Sequence, residues 1–303
     1  MQVTRRQFTR ILTAASVAGA CASKAFCMAS PGVRLGLNTF SLRTLPHETA
    51  IPTILEVMKT QKLRDCQLYS GHAEPQFGPP TPVTSASGPR VAPTPQQLED
   101  RKAAAAARSE WRLSVPMSYF ENIRSTFKKE QLRITAYATS FGTSEAEIDR
   151  VFQMAKALGV ETVNGRVPEA ITDLVAAAAT KHQLCVGIQV SDVKLLEQQV
   201  RTSQFLRADP DMGDLTKAKV NALQFVEYHA SNIVCIDLKD AVEGGGSVRF
   251  GEGEAPLKQV LRLIDMQKLP IATYIDCDYP GTGNSPEEVA RCVSFVRGMV
   301  ATV

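Results

Sequence analysis

The chain has 303 residues, of which 44% are hydrophobic, enough to bury a large core as one barrel or as two ordinary domains. Its formal charge is +3, but four basic residues and no acid lie in the first 30 positions, so residues 31–303 carry 30 basic against 31 acidic groups. This balance argues against a basic surface for nucleic acid, and no nucleic-acid partner is expected.

The first 30 residues predict an export signal. Arg5 and Arg6 are followed by Phe8, by a mildly apolar run of small residues from 11 to 22, and by candidate cleavage sites near positions 25 and 29. This pattern resembles a twin-arginine signal, which implies a periplasmic or otherwise exported protein. A retained membrane anchor is the alternative. The run is short and rich in Ala, Gly and Ser, so no stable anchor is expected after cleavage.

Eight strand patterns alternate with helix patterns after residue 31. Apolar, β-branched runs predict strands at 33–40, 64–69, 132–137, 160–163, 184–190, 205–208, 233–238 and 271–275. Apolar residues at helical spacing and capping motifs predict helices at 49–61, 95–112, 117–129, 145–158, 168–182, 194–202, 215–229 and 256–268, with a last helix opened by Ser285. Eight such units are typical of one α/β domain, a single (β/α)8 TIM barrel over residues 31–303.

A proline-rich stretch interrupts this alternation at residues 75–95, which contain seven prolines together with Gly, Ser and Thr. Such a composition continues neither a helix nor a strand and predicts a long loop. No complete domain precedes it, so an interdomain linker is not expected. A lid over the functional site and a surface insertion both stay open.

Five cysteines remain after the predicted signal: Cys66, Cys185, Cys235, Cys277 and Cys292. Their number is odd and no pair has Cys-x-x-Cys spacing, so neither a disulfide framework nor a zinc–thiolate site is expected. Most lie in or beside predicted strands, where a thiol behaves as a small apolar side chain.

Charged residues follow three of the last predicted strands. They are Asp211 and Asp214, then Asp237, Lys239 and Asp240, and finally Asp276 and Asp278. The carboxyl ends of parallel strands meet at one rim of a barrel, which is where such proteins place their chemistry. The sequence therefore predicts one acidic site formed by residues far apart in the chain.

Residues 211–214 read Asp-Met-Gly-Asp, residues 236–240 Ile-Asp-Leu-Lys-Asp, residues 251–253 Gly-Glu-Gly, and residues 275–279 Ile-Asp-Cys-Asp-Tyr. In this order the motifs resemble those of the xylose isomerase-like barrel family, which includes sugar phosphate isomerases and epimerases. The resemblance spans about residues 33–300 and implies a (β/α)8 fold.

The resemblance also implies a divalent cation. In that family Mn, Mg, Co or Zn is held by Glu, Asp, His and Glu, and the matching positions here are Gln189, Asp211, Asp237 and Asp276. A set of oxygen donors without imidazole favours Mg, Mn or Ca over Zn. The alternative is that the metal has been lost and that Lys239, Arg166 or Arg207 neutralises the carboxylates.

The function implied is that of a sugar or polyol isomerase or epimerase using metal-assisted proton transfer next to a carbonyl. Asp276 would exchange the proton and Lys239 would stabilise the enediolate, whereas Gln189, a neutral amide, cannot act as a base. The remaining substrate contacts expected are His72, Arg166, Asp214, Asp240 and Asp278. A non-catalytic carbohydrate-binding barrel is the alternative. The partner in either case is a small carbohydrate.

Overall fold

The computed structural model describes residues 33–78, 92–190, 192–280 and 285–301. The export signal predicted at 1–30 and residues 79–91 of the proline-rich stretch lie outside these described residues. Within them, no helix combines the length and the apolar character needed to cross a membrane.

Eight parallel strands form a single sheet. They are β1 Arg34–Asn38, β2 Asp65–Tyr69, β3 Arg133–Ala138, β4 Thr162–Gly165, β5 Cys185–Gln189, β6 Leu206–Asp209, β7 Cys235–Leu238 and β8 Ala272–Ile275. The pairing order is β6-β5-β4-β3-β2-β1-β8-β7. The two ends of this order meet through isolated bridges, Ala208 with Ile233 and Asp211 with Asp237. The sheet is therefore a nearly closed barrel, and the predicted (β/α)8 fold is confirmed.

Helices follow the strands around the outside. They are α1 His47–Thr60, α2 Ser70–Ala73, α3 Pro95–Ser114, α4 Ser118–Lys129, α5 Glu145–Leu158, α6 Thr172–His182, α7 Val193–Thr202, α8 Met212–Lys217, α9 Ala222–His229, α10 Leu257–Gln267 and α11 Pro286–Val300. The predicted caps at Thr94 and Ser285 are present, each accepting a hydrogen bond from the backbone N–H three residues later. Gly159 ends α5 in the left-handed conformation.

One predicted helix is wrong in its continuity. Residues 215–229 form two helices, α8 and α9, because the chain turns between them. Lys219 lies in the left-handed region at φ 60°, and the Asn221 side chain accepts a hydrogen bond from the Gln224 N–H to begin α9. The first of the two helices, α8, begins directly after Asp211, whose side chain caps it by accepting from the Asp214 N–H.

The buried arginine Arg112 fixes α3 against the barrel. Its guanidinium is fully buried and binds both carboxylate oxygens of Glu74, at 2.8 and 3.1 Å, and one oxygen of Glu147 at 3.1 Å. The same Glu74 carboxylate accepts a 2.5 Å hydrogen bond from the Tyr137 hydroxyl. This network joins α3 to β3, to α5 and to the segment after α2. It thereby holds in place one of the three helices that the described residues form between β2 and β3.

We expect Arg112→Ala to lower the free energy of unfolding by about 3–5 kcal/mol, because it leaves two buried carboxylates without their cation. Lys59→Ala is the control, since the exposed Lys59–Glu130 ion pair should contribute at most about 1 kcal/mol. Urea unfolding of both variants measures the difference. Equal effects would contradict the role assigned to Arg112.

Candidate functional site

A lysine lies between three aspartates at the carboxyl-end rim of the barrel. Lys239 follows β7, and its Nζ lies 2.8 Å from Asp211 Oδ2, 2.9 Å from Asp276 Oδ2 and 3.6 Å from Asp278 Oδ2. The three aspartates come from the ends of β6 and β8, on either side of β7. The structure therefore brings together four of the residues that the sequence predicted to share one site.

Asp278 marks the side of this cluster that faces solvent. Its side chain is 29% exposed, whereas those of Lys239 and Asp276 are 7% and 4% exposed. Asp278 Oδ1 lies 2.7 Å from Nη2 of Arg43, a residue that sequence reasoning did not single out. The Arg43 guanidinium also lies over the Phe40 ring, 4.7 Å from its centroid. The segment after β1 thus contributes a second cation to the rim.

Below the rim, Asp237 belongs to a polar layer inside the barrel. The Asn38 side-chain amide donates to Asp237 Oδ1 at 3.1 Å, and the Gln67 amide donates to both Asp237 oxygens at 3.2 Å. Asn164 in turn donates to Gln67 Oε1 and, at 3.0 Å, to Cys235 Sγ. These side chains come from β1, β2, β4 and β7, so the hydrogen bonds cross the interior.

Asp209 is the innermost carboxylate of this layer, and the sequence analysis did not select it. Its Oδ1 accepts a 3.2 Å hydrogen bond from Cys235 Sγ, while its Oδ2 has no hydrogen-bond partner among the described residues. Asp276 Oδ1 and Asn164 Oδ1 are likewise buried without a partner within the described ranges. Orphaned buried polar atoms are rare in native proteins and concentrate at functional sites.

Burial and mutual repulsion shift the acidities of this group. Burial, reinforced by the other aspartates, raises the pKa of Asp237 well above its ordinary value. Burial likewise raises the pKa of Asp209 to about 7 and that of Asp276 to about 6, the latter opposed by Lys239. Burial acts to lower the pKa of Lys239, but the surrounding aspartates outweigh it and raise the pKa well above normal. Lys239 is therefore a permanent cation.

The four residues predicted as metal ligands do not fit a divalent cation in this arrangement. The position between Asp211 and Asp276 is taken by the Lys239 ammonium, and Asp237 accepts side-chain amides with both oxygens. Within the described part of the chain, no group of three or more His, Cys, Asp or Glu side chains could hold a metal ion.

Gln189, the fourth predicted ligand, lines a cavity of about 150 Å³ at the end of β5. Arg166, Pro168 and Gln199 line the same cavity. Arg166 is exposed, and its charge, together with those of Lys239 and Lys217, holds the pKa of Asp214 below normal even though burial acts to raise it. Asp214 thus interacts both with Arg166, which lines this cavity, and with Lys239 at the rim.

Asp240 has a different role from the substrate contact that was predicted. It is buried, and its carboxylate accepts hydrogen bonds from the backbone N–H groups of Ala241, Gly251, Gly253 and Ala255, at 2.8–3.2 Å. A Cβ at position 253 would collide with this carboxylate. The geometry therefore assigns Asp240 to the shape of the loop after β7.

His72 is also engaged within the fold. It is 2% exposed, with Nε2 3.1 Å from the Leu42 carbonyl and Nδ1 3.1 Å from Thr39 Oγ1. The Leu42 carbonyl can only accept, so His72 carries its proton on Nε2. The Thr39 hydroxyl, which accepts from the Tyr69 N–H at 2.9 Å, therefore donates to Nδ1. Both nitrogens have partners in the chain, and burial lowers the pKa of His72 to about 4. This arrangement supports a structural role.

Sequence reasoning missed the uncharged members of the site, Asn38, Gln67 and Asn164, and also Asp209. Each lies near the carboxyl end of a buried strand. An amide or acid beside apolar residues inside a predicted barrel strand is the signal that could have found them, because such strands are normally rich in apolar residues.

The fold is similar to those of solved barrels at very low sequence identity. A xylose isomerase domain protein from Planctomyces limnophilus has a TM-score of 0.56 and 15% identity, over 82% of this chain and 93% of its own. A sugar phosphate isomerase/epimerase from Parabacteroides distasonis has a TM-score of 0.59 and 11% identity, over 88% and 97%. The 3-keto-D-glucoside 4-epimerase YcjR from E. coli has a TM-score of 0.57 and 8% identity, over 88% and 99%.

At these identities the similarity establishes the fold alone. No family model matches the chain. No curated protein matches its sequence.

We expect His72 to make the stability of the protein sensitive to mild acid. Its pKa of about 4 in the fold lies below the value of about 6.5 for an unfolded chain. The neutral His72 ring therefore makes its full contribution to the free energy of unfolding above pH 6.5. As the pH falls towards 4, the unfolded chain binds a proton that the folded protein does not, and about 3 kcal/mol of that free energy is lost in all.

His72→Gln should be less stable than the wild type at pH 7 and should lose less stability on acidification. Chemical unfolding between pH 7 and pH 4 measures both curves. Parallel curves for the two proteins would contradict the assignment of a buried neutral imidazole.

Proposed function

We propose that the chain is an enzyme that moves a proton at the carbon next to the carbonyl of a small sugar or polyol-derived substrate. The observation that carries this proposal is the Lys239 ammonium held among Asp211, Asp276 and Asp278 at the carboxyl-end rim. That rim is where (β/α)8 enzymes bind substrate. Barrels of similar fold named as sugar isomerases and epimerases add weight to a carbohydrate as the ligand.

Lys239 has one N–H left for a substrate. Two of its three hydrogens serve Asp211 and Asp276, while Asp278 at 3.6 Å is beyond hydrogen-bond length. In this proposal the third N–H donates to a carbonyl oxygen of a substrate that binds beside Asp278, the most exposed of the three aspartates. A fixed ammonium at this point stabilises the negative charge that develops as an enediolate forms.

Asp276 serves as the base. Its pKa of about 6 leaves it ionised at neutral pH, yet basic enough to take a proton. The carboxylate accepts the proton from the carbon, the C–H electron pair forms the carbon–carbon double bond, and the carbonyl π pair moves to the oxygen that Lys239 binds. Return of the proton to the neighbouring carbon, with transfer of the hydroxyl proton to the enediolate oxygen, completes an aldose–ketose isomerisation.

Isomerisation is favoured over epimerisation because Gln189 stands at the strand end where the family resemblance implies a second proton-transferring side chain. Asp276 and Asp278 follow β8, whereas Gln189, at the end of β5, is a neutral amide. An epimerisation by two bases needs proton acceptors on both faces of the carbon, and an amide cannot supply one. A single base that removes and returns a proton on one face is sufficient for isomerisation.

We expect the protein to exchange a carbon-bound hydrogen of at least one sugar for deuterium in D2O. Asp276→Asn should lower the exchange rate by about 10²–10⁴-fold, and Lys239→Met by about 10²–10³-fold. Asp173→Asn, which removes an exposed carboxylate on α6, is the matched control and should leave the rate unchanged. NMR of a panel of aldoses and ketoses measures the exchange, and its absence throughout the panel would contradict the proposal.

A non-catalytic carbohydrate-binding barrel is the second candidate. It is favoured by one observation, that the described cavity is lined by Gln189 and Arg166, which bind hydroxyl groups but do not transfer protons at neutral pH. Sugars that raise the melting temperature without any deuterium exchange would select this candidate over the enzyme.

We also propose that the protein acts outside the cytoplasm, on the basis of Arg5 and Arg6 in the first 30 residues. Replacing both arginines by lysine should keep the folded protein in the cytoplasm, because the paired arginines are the recognised element of a twin-arginine signal. Fractionation followed by immunoblotting measures the distribution. Continued export of the double variant would contradict this route.

A further inference from the structure

The position of the Lys239 ammonium leads to a second proposal, concerning metal ions. Nζ binds one oxygen of Asp211 and one of Asp276, at 2.8 and 2.9 Å. These carboxylates follow β6 and β8, and the ammonium bridges them as a metal ion would bridge two ligands. A divalent cation at the same point would need those same two oxygens at about 2.0–2.6 Å.

The next carboxylates are committed to other partners. Asp237 accepts amide N–H groups from Asn38 and Gln67 on both oxygens. Asp278 binds the Arg43 guanidinium at 2.7 Å. Completing a metal shell would break these contacts as well as the two ion pairs of Lys239.

Cations of the chain already compensate two of the three negative charges at the rim. Lys239 and Arg43 together provide two positive charges for Asp211, Asp276 and Asp278. A divalent ion placed against Asp211 and Asp276 would lie close to the ammonium, in a site largely buried from water where repulsion between like charges is strong.

We propose that Lys239 is a built-in replacement for a divalent cation, so that the rim is a metal-independent site which presents an ammonium to an oxygen of its ligand. The exclusion of metal stands on geometry alone. Only the identity of the ligand, a hydroxy-carbonyl sugar, rests on the proposed function. The proposal predicts that removing the ammonium creates a metal site from Asp211 and Asp276.

The experiment measures binding of Mn²⁺ to the purified protein at pH 7 by electron paramagnetic resonance, without substrate. Wild type should bind Mn²⁺ with a Kd weaker than about 1 mM. Lys239→Ala should gain one site tighter by at least about 10-fold. Lys239→Ala combined with Asp276→Asn should lose that gain, because one of the two bridged carboxylates is gone.

Lys217→Ala is the matched control. It also removes a lysine that pairs with an aspartate, because Lys217, the last residue of α8, lies 2.5 Å from Asp214. It leaves Lys239 in place and should gain no site. Lys239→Gln is the second variant if Lys239→Ala does not fold. It keeps the length and hydrogen-bonding capacity of the side chain, offers an amide oxygen to a metal, and should also gain Mn²⁺.

Stoichiometric binding of Mn²⁺ to wild type at micromolar concentrations would overturn the proposal. Failure of both folded Lys239 variants to gain a site would overturn it too, because the ammonium would then not be occupying a metal position. Deuterium exchange plays no part in these measurements. The proposed isomerisation can therefore fail while the replacement of the metal holds, and the reverse outcome is equally visible.

Discussion

The ion pairs of Lys239 are the interaction on which the site and the closure of the barrel both depend. Seven of the eight strand junctions are regular parallel ladders, whereas β6 and β7 are joined only by isolated bridges. Lys239, at the end of β7, binds Asp211 beyond β6 and Asp276 beyond β8. One side chain thus spans the weakest junction of the sheet, and the same contacts place its charge at the rim.

That charge has to be balanced within a confined space. Burial, together with repulsion from neighbouring carboxylates, raises the pKa values of Asp209, Asp211, Asp237 and Asp276. The buried Lys239 ammonium pairs with two of them, Asp211 and Asp276. At about 4 Å, two like charges near a protein surface repel by about 4 kcal/mol, so some of these carboxylates stay protonated. The side-chain amides of Asn38 and Gln67 donate hydrogen bonds that fix the orientation of Asp237. Asn164 in turn donates to Gln67 and holds it in place.

The fold was predictable because each strand and helix carries its own local pattern, while the site was predictable only as a location. Acids after three strands indicated the rim, and the structure brings Asp211, Lys239, Asp276 and Asp278 together there. The partner of each acid could not be predicted, because it depends on which way a side chain turns once the strands are paired. Asp240 follows Lys239 directly, yet it turns towards backbone amides rather than towards the rim. The division between α8 and α9 was missed for a similar reason. Asn221 can lie inside a helix or cap the start of one, and the sequence did not show that its side chain accepts the Gln224 N–H.

The carboxylate of Asp240 fixes the loop from 241 to 255 by accepting hydrogen bonds from its backbone N–H groups. The four donors are peptide N–H groups, so this arrangement requires that none of the donor positions is proline. It also requires glycine at 251, where φ is +91°, and glycine at 253, where a Cβ would collide with the carboxylate. Other residues of the loop have side-chain contacts of their own, since Phe250 is buried and Arg249 pairs with Glu288. Only the loss of the Asp240 carboxylate, however, would leave four peptide N–H groups of this segment without their acceptor at once.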